Sequence, residues 1–358
     1  MSDTEDELIA AYSFELPQHL IAQTPATKRD ESRLLVLRDD VVEHRIFRDL
    51  PEILHSGDLL VLNDTRVIAA RLYCDRDRRR EVLLLRPSDR DRYDPASTHW
   101  LALVRPGKKM RAGAVVEFFD GETRLARATV IDVHPDDGVR ELEFALDVPF
   151  EELLARAGRL PLPPYIHNES SEAQERYQTV FARTDGSVAA PTAALHFTPE
   201  LLDALVTRGV HLAYLTLDVG LGTFRPVQDE HLSNHLMHAE SYALPQTTVE
   251  AISQAKREGR RVIAVGTTVV RALEGNALAN DGLMAARSST NCFITPGFQF
   301  RVIDALITNF HLPKSTLLVL VSALMGRRRI LQAYAEAVRR EYRFFSFGDA
   351  MFLEPPRA

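Results

Sequence analysis

Between Arg71 and Phe150 short apolar runs alternate with turn residues, and no stretch carries a helical period. Residues 82–85, 100–104, 115–119 and 126–131 are rich in β-formers, and residues 141–146 alternate strictly between polar and apolar. Pro106-Gly107, Asp120-Gly121 and Pro135-Asp136-Asp137-Gly138 separate them with turn chemistry. Strands of this kind without helices predict a small closed or half-closed β-barrel.

The pattern changes after Pro149. Thr198-Pro199-Glu200 reads as a helix start, with Thr198 as N-cap and Pro199 in the first turn; the helix ends near Gly209. A strand-like run follows at 211–219, then a helix capped by Thr247 or Thr248 and closed by Gly259. Residues 261–265 form the next strand, and Gly266-Thr267-Thr268 leads into a helix over 269–275. Residues 33–37 and 58–62 add strands near the start. Strand–helix alternation implies an α/β sheet with crossover connections. The predicted architecture is a discontinuous α/β domain, residues 1–70 and 151–358, with a small β-barrel domain inserted at 71–150.

A length of 358 residues fits two such units. Residues 317–321 form the longest apolar run near the C-terminus, far short of the about 20 residues that span a bilayer. It reads as a buried helix face. Cys74 and Cys292 belong to no paired-cysteine motif, and no basic-then-apolar leader opens the chain. A cytoplasmic location and no membrane association are expected. Ser2 to Glu7 reads as a loose acidic tail.

A net charge of −7 argues against wholesale coating of nucleic acid, but the charge is uneven. Over residues 71–111, twelve Lys and Arg face six Asp and Glu. The candidates for a local nucleic-acid surface are Arg78, Arg79, Arg80, Lys108, Lys109 and the run Arg327-Arg328-Arg329.

Polar groups gather where strands should end. The apolar run 59–62 passes at once into Asn63-Asp64-Thr65-Arg66, and 262–265 into Gly266-Thr267-Thr268. Ligands of open α/β sheets bind beyond the carboxyl ends of the strands, and a small-residue turn at a helix N-terminus offers N–H groups to an anion. His196 lies at a loop-to-helix junction. His238 and Glu240, two apart, share a face if the segment is extended. In the run Thr308 to Thr316, His311 and Lys314 bracket Pro313 just before a helix that Ser315 or Thr316 caps. No metal-binding histidine spacing is present, so no metal is expected.

With these motifs the chain resembles the S-adenosylmethionine:tRNA ribosyltransferase-isomerase family of queuosine biosynthesis, nearly end to end. The resemblance rests on Leu20-Ile21-Ala22-Gln23-Thr24-Pro25, Arg29-Asp30-Glu31-Ser32-Arg33, Asn63-Asp64-Thr65-Arg66-Val67, Pro163-Pro164-Tyr165-Ile166, and Pro191-Thr192-Ala193-Ala194-Leu195-His196-Phe197-Thr198. It continues through Val219-Gly220-Leu221-Gly222-Thr223-Phe224, Met237-His238-Ala239-Glu240, Val265-Gly266-Thr267-Thr268, the run Thr308 to Thr316, and Phe344-Phe345-Ser346-Phe347-Gly348-Asp349.

The resemblance implies transfer and isomerisation of the ribosyl group of S-adenosylmethionine onto 7-aminomethyl-7-deazaguanine at the tRNA wobble position. Epoxyqueuosine-tRNA, adenine and methionine result. S-adenosylmethionine is then a consumed substrate, no cofactor is implied, and the partners are S-adenosylmethionine and tRNA; a monomer is expected. It also implies an α/β domain with an inserted β-barrel. The chemistry needs a base for the ribose carbon beside the sulfonium, help for adenine to leave, and exclusion of water. His196, His238, Glu240 and His311 are the candidates for acid or base. Asp64, Arg66, Thr198, Thr267, Thr268, Arg271, Lys314, Ser315 and Thr316 are the candidates for holding substrate.

Three positions depart from the family pattern. Ala194 stands where Gly is usual, Asp218 where His is frequent, and Asn291-Cys292 where Asp-Leu is common. Ala194 tests whether that position requires a positive φ. Two other classes compete: a non-catalytic RNA-binding protein, and an S-adenosylmethionine-dependent RNA methyltransferase. Against the second, Arg38-Asp39-Asp40 follows the first strand where a glycine-rich loop belongs.

Overall fold

The computed structural model describes residues 4–39, 41–77, 79–89, 92–134, 138–168, 170–220 and 229–356. Two sheets dominate it. The larger has nine strands, in the spatial order Ala286–Thr290, Glu240–Leu244, His211–Leu217, Leu59–Asn63, Val262–Val265, Ala305–Asn309, Ala350–Glu354, Arg33–Arg38 and Val41–Ile46. The four strands from His211–Leu217 to Ala305–Asn309 run parallel, so their carboxyl ends share one edge.

These strands are apolar on both faces because both faces are covered. Leu35, Leu59, Val61, Ala264 and Leu306 pack with the helices Gln246–Arg257, Thr267–Asn280 and Thr316–Met325. Their neighbours Leu34, Leu60, Leu62, Ile263 and Ile307 pack on the opposite face, with Phe47, Phe197 and the helix Pro199–Thr207. Alternation along each strand thus sorts one continuous apolar run into two cores.

The second sheet has seven antiparallel strands from residues 71–159 and its own core. Trp100 stacks on Phe150 of the helix Phe150–Ala157, ring centres 4.7 Å apart. The sheet curls until the Asp75 N–H donates to the Glu117 carbonyl at 2.7 Å, yet Gly158–Arg159 still pairs outside Arg71–Cys74. It is a curled half-barrel.

Several local expectations change. The helix predicted over 269–275 runs from Thr267 to Asn280, straight through Gly275. A Cβ at Gly275 would fall 2.3 Å from Thr290 Oγ1, so the glycine is there for close packing on the edge strand and does not end the helix. The helix expected to be capped by Thr247 or Thr248 begins at Gln246, and the Thr248 hydroxyl donates to the Tyr214 carbonyl at 2.5 Å. The acidic segment is not loose where it is described: Thr4–Glu7 forms a 3-10 turn, and Arg327 binds both Glu5 and Asp6. Ala194 lies in the 3-10 turn Thr192–His196 without a positive φ, so that position does not require glycine. Among the described residues, no helix is long and apolar enough to cross a membrane.

Candidate active site

A cleft opens over the carboxyl ends of Val262–Val265 and Ala305–Asn309. Its walls come from four segments: residues 190–193, Gly266-Thr267-Thr268, residues 308–312 with Ser315, and Tyr165 with Phe345 and Ser346. Gly266 has φ 92° and ψ 148°, a conformation open to glycine alone, and it turns the strand end into the helix Thr267–Asn280. The first helical N–H groups therefore face the cleft beside two buried hydroxyls, and the Thr268 Oγ1 has no hydrogen-bond partner among the described residues.

His311 is buried in the opposite wall, with Nε2 3.0 Å from the Thr308 hydroxyl and its backbone N–H donating to Tyr334 at 2.9 Å. Burial lowers its pKa from 6.5 to about 3, so the ring is neutral at physiological pH. His196 lies behind the cleft and does not line it. Its ring packs on Phe47, Nδ1 is 2.7 Å from the Ser32 hydroxyl, and Nε2 is 3.3 Å from the Asn309 amide nitrogen. An amide nitrogen only donates, so Nε2 accepts and Nδ1 carries the proton. Burial lowers this pKa to about 4, with Asp349 pulling the other way.

Asn309 was only part of a motif in the sequence, without a role. Here it lines the cleft, and its carbonyl oxygen is buried without a partner among the described residues. Tyr165, stacked on Phe345 at 4.6 Å and bonded to the Ser346 hydroxyl at 2.6 Å, forms a further wall that sequence reasoning missed. Their signal was motif membership alone; nothing in their spacing places them at one cleft.

Of the candidate substrate ligands, Thr267, Thr268 and Ser315 reach the cleft. The Ser315 hydroxyl is committed to capping Leu318 and to the Leu312 carbonyl, while Thr316 is the first residue of that helix. Lys314 is exposed with φ 57°, its N–H held by Tyr12, and it does not line the cleft. Thr198 caps Leu201. Asp64 lies off the cleft, paired with Arg183 at 2.9 Å and accepting from Thr216 at 2.7 Å; Arg66 is exposed near Asp185.

Glu240 and Arg271 form an ion pair whose side chains are both 3% exposed. Arg271 also donates to the Cys292 carbonyl, and Glu240 accepts from the Gly220 N–H. His238 is exposed and precedes the strand, whereas Glu240 is buried as its first residue. The trio Asp132, His134 and Glu141 could offer metal ligands, but none lines the cleft and Glu141 already accepts from Ser88.

Among the basic candidates, Arg80 is gripped by Asp75 through two bonds, Arg79 lies near Asp77, and Lys108 and Lys109 are exposed. Arg78 lies outside the described residues, as do Leu221 to Phe224 of the glycine motif. Arg327, Arg328 and Arg329 follow the far end of Thr316–Met325, about 15 Å from the end that meets the cleft.

A cleft at the carboxyl ends of parallel strands, with a helix N-terminus on one side and a neutral histidine on the other, stands where α/β enzymes hold small polar ligands. The profile of the queuosine biosynthesis protein family matches residues 9–353, and the chain belongs to that family. It is 51% identical over 353 residues to the S-adenosylmethionine:tRNA ribosyltransferase-isomerase of Acaryochloris marina, covering 98% of this chain and 94% of that protein. The enzyme of the same name from Heliobacterium modesticaldum is also 51% identical, over 96% of this chain and 99% of its own. The crystal structure of S-adenosylmethionine tRNA ribosyltransferase from Thermotoga maritima matches with a TM-score of 0.52 at 36% identity, over 96% of this chain and 99% of that one.

Proposed function

We propose that this chain transfers and isomerises the ribosyl group of S-adenosylmethionine onto 7-aminomethyl-7-deazaguanine in tRNA, with S-adenosylmethionine held in the cleft at the strand ends. The observation that carries the reading is the cleft itself: Thr267, Thr268 and the helix N-terminus face His311 across it in a chain of this family. The helix N-terminus suits the carboxylate of the methionine part, and the unpartnered Asn309 oxygen suits an N–H or O–H donor of the ligand.

His311 is assigned as the base. In the tautomer whose Nε2–H donates to the Thr308 hydroxyl, Nδ1 is left to take the proton from the ribose carbon beside the sulfonium. A pKa of about 3 marks the cost of creating a charge on a buried ring. In the complex a positive charge is already present on sulfur. Proton transfer then turns the sulfonium into a neutral ylide and moves that charge onto the ring without adding one. His196 acts through Asn309 as a positioning residue, and Glu240 holds Arg271. The expected division is 1–70 with 151–358, and 71–150; the separate core of the second sheet supports two units, and the helix Phe150–Ala157 and strand Gly158–Arg159 go with the second, which moves the boundary to about 159.

The test is incubation of the purified protein with S-adenosylmethionine and tRNA carrying the 7-aminomethyl base. Adenine and methionine in equal amounts are expected, falling by about 10²–10⁴-fold in His311→Ala. S-adenosylhomocysteine instead, or no turnover, would overturn the reading.

A further inference from the structure

A second and wider groove lies between the two sheets. Arg86, Arg92 and Tyr93 of the half-barrel form one wall; Ser241, Arg287 and Ser289 of the large sheet form the other. Val219 lines both this groove and the active-site cleft, so the two openings are neighbours with that side chain between them. The helix Thr267–Asn280 underlies both: Thr267 faces the cleft, and Arg271, one turn on, holds the groove residue Glu240.

The charges of the groove are unequally engaged. Arg92 is bound by Asp218 through bonds of 2.9 and 3.0 Å, and Arg271 answers Glu240. Arg86 is exposed and bonds only the Pro87 carbonyl among the described residues. Arg287 is exposed, and its guanidinium has neither hydrogen bond nor ion pair among them. Two guanidinium groups, one on each wall, thus keep their charge for a ligand. Arg79, Arg80 and Arg327 each lie against a carboxylate instead. Among the described residues the strand Ala286–Thr290 is also the sheet's outermost, so its outer edge adds backbone groups beside Arg287.

We propose that this groove is the nucleic-acid entrance: the strand bearing the target base lies in it, its phosphates between Arg86 and Arg287, and the base passes Val219 into the cleft. The proposal rests on the functional reading above. It is tested by titrating hypomodified tRNA into wild type, Arg86→Gln, Arg287→Gln and the double variant over a series of salt concentrations. Each single change is expected to weaken binding about 3–10-fold, and each lost phosphate contact to lower the slope of log K against log salt by about 0.7–0.9. Arg86→Lys with Arg287→Lys should retain most of the affinity, and S-adenosylmethionine binding by calorimetry should match wild type throughout. Wild-type tRNA affinity and salt slope in the double Gln variant overturn the proposal, as does loss of affinity confined to Arg79→Gln with Lys109→Gln. A wild-type chain that binds no tRNA at all sinks the functional reading itself.

Discussion

The side-chain amide of Asn309 donates to Nε2 of His196 at 3.3 Å and to the Phe345 carbonyl at 2.9 Å, which leaves its own oxygen buried and unpaired among the described residues. An unpaired buried acceptor costs about 1–3 kcal/mol, and a ligand donor that reaches it recovers that energy. His196→Leu releases the amide and should raise the KM for S-adenosylmethionine about 10-fold, in line with one hydrogen bond. His196→Gln, which keeps an acceptor, should restore most of it. Steady-state kinetics with equal KM values for the Leu variant and wild type would remove His196 from the site.

The two buried histidines make stability depend on pH. Above about pH 6.5 both rings are neutral whether the chain is folded or not. Below it the unfolded rings take up protons, while the folded ones resist to about 4 for His196 and about 3 for His311. The unfolded state then binds more protons, so stability falls by about 1.4 kcal/mol per pH unit for each ring. Calorimetry from pH 7 to 4.5 should show this decline, and His196→Gln should remove about half of it. An unchanged slope in that variant would mean the ring protonates in the fold.

Glu240→Gln leaves the Arg271 guanidinium unanswered at 3% exposure. Removing one partner of such a pair destabilises by about 3–5 kcal/mol. Urea denaturation should show that loss before any effect on chemistry is considered. A variant as stable as wild type, but inactive, would instead make Glu240 a catalytic group.

Gly266→Ala forces a side chain into φ 92°, at a cost of about 1–3 kcal/mol. The turn that aims the helix N-terminus must shift to relieve it. Calorimetry should find weaker S-adenosylmethionine binding in a chain that is still folded; unchanged affinity would separate the helix N-terminus from the ligand.

The sheet was legible because runs such as Leu59-Leu60-Val61-Leu62 have only one use, burial on both faces. The cleft was legible for a related reason: the change from apolar to polar at Val265-Gly266-Thr267 and Thr308-Asn309 marks where strands stop. Spacing could not say which way each polar group turns. Asp64 leaves the same strand end as Asn63 but meets Arg183, 119 residues away. Arg327 meets Asp6 across 321 residues, a pairing no local pattern contains. Thr198 and Ser315 read equally well as caps or as ligands, and the backbone settles both as caps. His238 and Glu240 part company because the extended strand begins only at Glu240.

Gly275 lets the helix Thr267–Asn280 close on the Thr290 side chain, whose Oγ1 would lie 2.3 Å from a Cβ at that position. Any larger residue at 275 would have to push helix and strand apart, and the helix start at Thr267 would move with it. The bare position thus fixes where the cleft's polar rim stands.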